Sequence, residues 1–280
     1  MNLVQYLKKH PFSFFLRMLV YVSAAITVTV LVFLIGYILY KGVPNLTLPG
    51  IFDWKFTSQN MSMTPAIINT VLMTVLSLLM AVPIGVFAAI YLVEYSKKGN
   101  KLVKLIRVTA ETLSGIPSIV YGLFGFIVFV ITLGWSYTLL SGAITLSIMI
   151  LPLIMRTTEE ALMAVPDSFR EGSFGLGAGR LRTVFRIIVP SAMPGILSGV
   201  ILAIGRIVGE SAALIFTAGT NPVVPDSLFS SVSTLSVHMY ALMTEGLYVD
   251  QAYAVAVVLL VVVILINALS AALARKLTKK

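Results

Sequence analysis

The chain has 280 residues, of which 58% are hydrophobic and only 11% are charged, and it contains no cysteine. This composition excludes an ordinary soluble domain and indicates an integral membrane protein. The lack of cysteine excludes disulfide, iron–sulfur, haem-thiolate and zinc-thiolate sites. A net charge of +9 would suggest nucleic acid as the partner of a soluble chain, but here most basic residues stand at the ends of apolar runs. We therefore expect one membrane domain in contact with lipid, with no nucleic-acid partner and no metal site.

Six apolar stretches follow one another along the chain, each with the length that crossing a ~30 Å hydrocarbon core requires. They are residues 18–40, 65–95, 114–133, 139–155, 191–216 and 252–274. The first stretch is too long for a signal peptide and no small-residue cleavage site follows it, so we expect it to be retained. Residues 41–64 and 217–251 form polar loops between spans. The sequence thus predicts an all-α, polytopic membrane protein with six transmembrane helices.

The basic residues are distributed unevenly over the loops. Seventeen of the 20 lysine and arginine residues lie in the N-terminal tail, at residues 97–107, at residues 156–186 and in the C-terminal tail. The opposite side holds only Lys41 and Lys55. The positive-inside rule places the basic side in the cytoplasm, so both termini are predicted to be cytoplasmic. Anionic lipid is an alternative partner for residues 97–107, although a topology-determining loop is the simpler interpretation.

Residues 158–190 are too polar and too charged to span a membrane. Glu171 follows Ser168 by three residues, which favours a capped helix over residues 167–176. Gly177 would end that helix, because glycine accepts the left-handed conformation that a helix stop needs. A second short helix is predicted from residue 180 to Pro190. From these residues alone, the segment is either an interfacial hairpin that connects two spans or a docking surface.

The spacing within this segment resembles the EAA signature of bacterial ABC importer permeases. In that signature Glu-Ala-Ala is followed by three residues, Gly, nine residues and Ile-x-Leu-Pro. The matching positions here are Glu171, Gly172, Ser173, Gly177, Ile187 and Pro190. Gly172 and Ser173 stand in place of alanines, and Val189 stands in place of leucine. These are small-for-small and apolar-for-apolar replacements, which leave the expected helical hairpin intact.

Three further stretches resemble phosphate-importer permeases. They are Ala-Ala-Ile-Tyr-Leu-Val-Glu-Tyr at residues 88–95, Gly-Ile-Pro-Ser-Ile-Val-Tyr-Gly-Leu-Phe-Gly at residues 115–125 and Gly-Arg-Ile-Val-Gly-Glu-Ser-Ala-Ala-Leu at residues 205–214. Together the likeness covers nearly all of residues 65–274. The chain therefore resembles the PstA family, one of the two permeases of the phosphate ABC importer. The alternatives are the PstC-type partner permease and a permease for another oxyanion such as phosphonate, sulfate or molybdate.

The resemblance implies a type I ABC importer permease fold. Residues 1–64 would form the N-terminal tail, the first transmembrane helix and an outer loop, and residues 65–280 would form the permease core. Within the core, residues 158–190 are named here the coupling segment, because in this family the segment binds a cleft on the ATPase subunit. The six residues of the EAA-like pattern are then the expected ATPase-coupling residues.

The resemblance also implies an assembly in a bacterial or archaeal plasma membrane. It would contain a PstC-like permease, two PstB-like ATPase subunits and an extracytoplasmic PstS-like phosphate-binding protein. The chain has no phosphate-cradling loop of the form G-x-x-x-x-G-K-[ST]. We therefore expect a transport subunit rather than an enzyme, without a cofactor of its own and with ATP bound by the ATPase. The rival classes are an intramembrane enzyme, which would need His or Cys in a span, and a scaffold without a transport path.

The fifth predicted span carries Arg206 and Glu210. On a helix through residues 191–216 the two side chains share a stripe with small residues, among them Gly195 and Gly199. A guanidinium in hydrocarbon must face protein or water. Either Arg206 and Glu210 form an ion pair that locks two helices, or Arg206 binds an oxyanion while Glu210 fixes its rotamer. The planar fork of arginine suits phosphate.

Neutral hydrogen-bond donors would complete such an anion path. The candidates are Ser118, Tyr121, Ser211 and Thr217, of which Ser118 and Tyr121 lie in the stretch most similar to phosphate-importer permeases. Their place beside Arg206 is a prediction that depends on how the third and fifth spans pack.

Overall fold

A computed structural model describes residues 11–47, 50–57, 60, 62–97, 99–246 and 248–278. Five basic residues that contribute to the predicted orientation, namely Lys8, Lys9, Lys98, Lys279 and Lys280, lie outside the described residues. In chain order the helices are α1 (Pro11–Gly42), α2 (Thr64–Ile90), α3 (Lys101–Ser114), α4 (Ser118–Gly125), α5 (Leu139–Met163), α6 (Asp167–Gly175), α7 (Arg180–Thr183), α8 (Val189–Val208), α9 (Ala212–Thr217), α10 (Leu235–Glu245) and α11 (Val249–Thr278). Wide π-helical turns extend α2 through Tyr91–Tyr95, extend α4 through Phe126–Thr132 and join α7 to α8 through Val184–Ile188.

Five helical stretches of the described chain are long and apolar enough to cross a membrane, and α3 with α4 makes a sixth if the bent pair counts as one span. The predicted all-α polytopic architecture is confirmed. The third span differs from the prediction, because α3 and α4 meet at an angle of 101°. Most of the basic stretch predicted as a loop at residues 97–107 is therefore helical. Asn100 begins α3 as its N-cap, and its side chain accepts a hydrogen bond from the Leu102 N–H.

The core is built around α5, which packs against α2 on one side and α8 on another. Glycines allow these close approaches. A Cβ atom added to Gly85 of α2 would lie 2.9 Å from Ile154, and one added to Gly195 of α8 would lie 2.6 Å from the Cβ of Ala161. Small residues of this kind let membrane helices approach closely through their backbones. The small-residue face that the sequence predicts on the fifth span is therefore a packing face.

The prediction that residues 217–251 form an outer loop is wrong in part, because these residues contain the helix α10. The Leu235 N–H donates a hydrogen bond of 2.8 Å to the hydroxyl of Thr70, and the Asn69 amide donates one of 3.1 Å to the Ser233 carbonyl. Both acceptors and donors are buried. These bonds tie the start of α10 to α2, so this stretch belongs to the packed domain and is not a solvated connection.

Candidate functional site

From Asp167 onward the coupling segment forms the hairpin that the sequence predicts, whereas its first residues, up to Met163, continue α5. Helix α6 ends in a Schellman turn, in which the Gly177 N–H donates to the Phe174 carbonyl at 2.9 Å and the Ala178 N–H donates to the Ser173 carbonyl at 3.1 Å. Gly177 has φ +82°, the left-handed conformation that side chains rarely adopt. The predicted helix and its glycine stop are confirmed, whereas the predicted cap is not: α6 starts at Asp167 without a side-chain cap.

The motif residues of this segment divide into exposed and buried positions. Glu171 and Gly172 are exposed on α6. Ser173 is buried, and its hydroxyl shares a 2.8 Å hydrogen bond with the hydroxyl of Thr183 across the hairpin. Ser173 therefore joins the two arms of the hairpin, while Glu171 and Gly172 remain available to a docked partner.

Apolar side chains surround the exposed polar positions of the hairpin. Phe169 and Phe174 of α6 are each about half exposed, Leu176 is 91% exposed and Leu181 of α7 is 69% exposed. Several large apolar side chains exposed on one short hairpin, outside the predicted hydrocarbon region, are typical of a protein–protein contact site. The hairpin thus presents a surface on which a soluble partner can dock.

Pro190 does not end the second short helix, contrary to the sequence prediction. Residues Arg180–Val208 form one continuous helical stretch. The π-helical turn Val184–Ile188 precedes Pro190. The N–H of Val189, the residue that follows this turn, donates to the Val184 carbonyl, one residue farther back than in an α-helix. The wide turn accommodates the backbone around a residue that has no N–H to donate. The half-buried Ile187 lies in this turn, which connects the hairpin rigidly to α8.

Arg170 and Glu94 are functional candidates that the sequence reasoning missed. The Arg170 guanidinium donates to the Glu94 carboxylate from Nη2 at 2.6 Å and from Nε at 3.1 Å. It also donates to the carbonyl of Leu162 in the last turn of α5, at 3.0 Å, and to that of Val165 just beyond the helix, at 2.9 Å. The hydrogen bonds to Glu94 raise the pKa of Arg170 above its ordinary value. The only sequence signal was the presence of Glu94 at the end of an apolar span.

The fifth membrane helix ends earlier than predicted, at Val208. The Glu210 carboxylate lies beyond the helix and accepts a 3.1 Å hydrogen bond from the Ala213 N–H, at the start of α9. Its carbonyl accepts a 2.6 Å hydrogen bond from the hydroxyl of Ser236. The prediction that one helix continues through residue 216, with Arg206 and Glu210 on the same stripe, is therefore wrong. Within the described part of the chain, no carboxylate lies within ion-pair distance of Arg206.

Arg206 is thus separated from Glu210 by the helix break. It lies half-buried in the last turn of α8, at the end of that helix opposite the coupling segment. Irregular backbone such as residues 209–211 is tolerated at membrane depth only where it is buried in protein or lines a water-filled cavity. A half-buried guanidinium next to such a break is a candidate anion-binding group.

The third span brings Tyr121 close to this region. Tyr121 is buried within Coulombic range of Arg206, and its hydroxyl donates a 2.8 Å hydrogen bond to the Leu113 carbonyl at the end of α3. Tyr121 therefore fixes the bend between α3 and α4. Ser118 is half-buried at the start of α4, one helical turn before Tyr121. Thr217 is buried in α9, and its hydroxyl donates a hydrogen bond to the Ala213 carbonyl. In this arrangement the hydroxyl has no hydrogen left to donate to an anion.

Close packing of α4 on α9 holds Tyr121 in place, and Gly122 makes it possible. A Cβ atom at Gly122 would lie 2.8 Å from the Cα of Ala213. We expect Gly122→Ala to lower the free energy of unfolding by about 1–3 kcal/mol, the usual cost of overpacking. Thermal unfolding in detergent measures this. The matched control is Gly36→Ala in α1, where an added Cβ meets nothing within 4 Å; equal loss in both variants would contradict the close approach.

Known proteins resemble this chain in both sequence and fold. The family described as binding-protein-dependent transport system inner membrane component matches residues 81–280. The chain belongs to this family. The permease is 36% identical over 247 residues to the probable ABC transporter permease protein YqgI of Bacillus subtilis (strain 168). The matched residues make up 81% of this chain and 82% of that protein. It is 32% identical over 267 residues to the phosphate transport system permease protein PstA of Mycobacterium leprae (strain TN), with 91% and 86% covered.

The fold of the permease also matches solved structures. A chain in the crystal structure of the bacterial alginate ABC transporter in complex with alginate pentasaccharide-bound periplasmic protein superposes with a TM-score of 0.65 at 19% identity. The match covers 100% of this chain and 99% of that chain. The predicted type I ABC importer permease fold and the resemblance to the PstA family are both confirmed. The permease is accordingly a multi-pass integral membrane protein.

Proposed function

We propose that the permease is the PstA-type subunit of an ATP-driven phosphate importer. It forms one half of the translocation path with a PstC-like permease. The assembly contains two PstB-like ATPase subunits, one of which binds the coupling segment, and a PstS-like protein delivers phosphate from outside. The permease binds neither ATP nor another cofactor itself. PstA proteins among its relatives, including those of Mycobacterium leprae and Xylella fastidiosa, support phosphate as the substrate.

Among the described residues, no carboxylate pairs with Arg206, and this supports an anion as its ligand more directly than any other feature. A charged guanidinium at the centre of a membrane span costs about 2.5 kcal/mol or more, a cost that protein groups, water or an anion can offset. Glu210 does not supply one, because its carboxylate caps α9 instead. A transported oxyanion fits this position, since arginine presents a planar fork of donors and stays charged at every relevant pH.

Uptake of radiolabelled phosphate tests this function directly. The permease is expressed with its partner subunits in a bacterial strain that lacks other phosphate importers. We expect uptake that requires this chain and that excess unlabelled sulfate, molybdate or phosphonate does not inhibit. Uptake of one of those anions in place of phosphate would contradict the assignment of the substrate.

The orientation of the permease gives a second test. Because the natural chain has no cysteine, single cysteines report their own accessibility. We expect Ser227→Cys to react with a membrane-impermeant maleimide added to intact cells, since Ser227 is exposed in the loop before α10. Ser168→Cys, exposed on α6, is expected to react only after the cells are permeabilised. Labelling of Ser168→Cys from outside would reverse the topology and separate the hairpin from any cytoplasmic ATPase.

A further inference from the structure

The helix α6 is attached to the membrane helices in an unusual way. Its only buried residue is Ser173. Both of its phenylalanines, Phe169 and Phe174, are about half exposed. Burial of apolar surface is the usual reason why one helix moves with another. Little apolar surface of α6 is buried, so its polar contacts and its two chain connections contribute most to how it moves the rest of the domain.

The polar contacts of the hairpin converge on one short piece of the second span. Arg170 of α6 pairs with Glu94, whose side chain is only 8% exposed. Arg180, the first residue of α7, places its guanidinium carbon 5.4 Å from the centre of the Tyr95 ring. Glu94 and Tyr95 both belong to the π-helical turn Tyr91–Tyr95 that extends α2. The two arms of the hairpin therefore hold the same end of the same membrane helix.

The geometry of Arg170 makes this attachment stiff. All of its N–H groups have acceptors, which are two oxygens of Glu94, one of Asp167 and the carbonyls of Leu162 and Val165. A guanidinium held by this many charge-assisted bonds has one rotamer and little freedom to slip. Arg170 thus connects three elements, namely α6, the end of α5 and the end of α2.

We propose that Glu94 and Arg170 form a positioning pair through which a displacement of α6 moves the cytoplasmic end of α2. This inference rests on the proposed docking of an ATPase to the coupling segment. Since α2 packs along α5, the pair passes the displacement to the core of the permease and not only to the neighbouring spans along the chain. Without the pair, α6 acts only through its connections to α5 and α7.

Glu94→Gln tests the pair with the least disturbance. It keeps the size of the side chain and removes the charge that orients Arg170. The matched control is Glu111→Gln, because Glu111 also faces a guanidinium, that of Arg156 at 4.0 Å, but is 74% exposed and lies on α3, outside the coupling segment. The complete complex is reconstituted in liposomes, and phosphate uptake is measured together with ATP hydrolysis. For Glu94→Gln we expect the phosphate moved per ATP hydrolysed to fall by about tenfold, within the range typical of coupling between sites. Glu111→Gln is expected to match the natural permease.

A covalent link separates a mechanical role from a structural one. The double variant Glu94→Cys with Arg170→Cys removes both charges, so no buried charge is left unpaired and assembly is spared. We expect it to be uncoupled when reduced and to recover when a short bifunctional thiosulfonate joins the two cysteines. An assembled, cross-linked complex that stays uncoupled would overturn the proposal, as would normal coupling of Glu94→Gln.

The proposed function can fail independently of this inference. If the natural permease and Glu111→Gln move no phosphate, the assigned substrate is wrong, while ATP hydrolysis stimulated by the loaded binding protein still reports on the pair. If both transport phosphate and Glu94→Gln behaves in the same way, only the positioning pair is wrong.

Discussion

Replacing Arg206 with leucine is expected to abolish phosphate uptake while the permease still inserts and assembles. Within the described chain Arg206 has no carboxylate partner, so its removal leaves no buried charge unpaired. If the guanidinium binds the anion, its loss costs about 2–5 kcal/mol of interaction, which lowers uptake by roughly 30-fold or more. Uptake in cells, with co-purification of the partner subunits in parallel, measures both quantities.

Two further variants separate anion binding from packing at this position. Arg206→Lys keeps the charge but loses the planar fork, so we expect a partial loss of uptake. Glu210→Gln keeps a side-chain oxygen that can accept the hydrogen bond from the Ala213 N–H, so we expect nearly normal assembly and uptake. Normal transport by Arg206→Leu would eliminate Arg206 from the path. Equal damage from Glu210→Gln and Arg206→Leu would indicate an ion pair formed during transport.

Gly177→Val is expected to uncouple the permease without disturbing its membrane spans. Gly177 has φ +82°, and a β-branched residue there is strained by about 1–3 kcal/mol. An added Cβ meets no atom within 4 Å, so the effect comes from the backbone alone. Relief of the strain opens the Schellman turn and changes the angle between α6 and α7. We expect ATP hydrolysis stimulated by the loaded binding protein to fall by about tenfold or more.

Gly175→Ala is the matched control for this variant. Gly175 lies two residues away in the last turn of α6, has no positive φ and also has nothing within 4 Å of an added Cβ. It tests whether any larger side chain on this surface blocks a docked ATPase. We expect normal stimulation, or a slight gain from the better helix propensity of alanine. Full stimulation in Gly177→Val would show that the hairpin only connects two spans.

Sequence alone determined the features that depend on local chemistry. Long apolar stretches predict spans, because backbone groups in lipid must be satisfied within one helix. Gly177 predicts the hairpin turn, because a positive φ is a property of one residue and its two neighbours. The EAA-like spacing around it indicated the family by resemblance. The Asn100 cap is also readable from the sequence, but the basic residues around it indicate only a loop that sets topology or contacts anionic lipid.

Tertiary structure decided the features that depend on contacts between distant residues. The fifth span ends at Val208 because Glu210 caps α9 and accepts a hydrogen bond from Ser236 of another helix. Helical periodicity continues through residue 216 and contains no information about that partner. Likewise, Glu94 and Arg170 are 76 positions apart, and only the packing of α2 beside the hairpin brings them together. Buried ionic contacts arise from the three-dimensional path of the chain, whereas sequence patterns report only on neighbours along it.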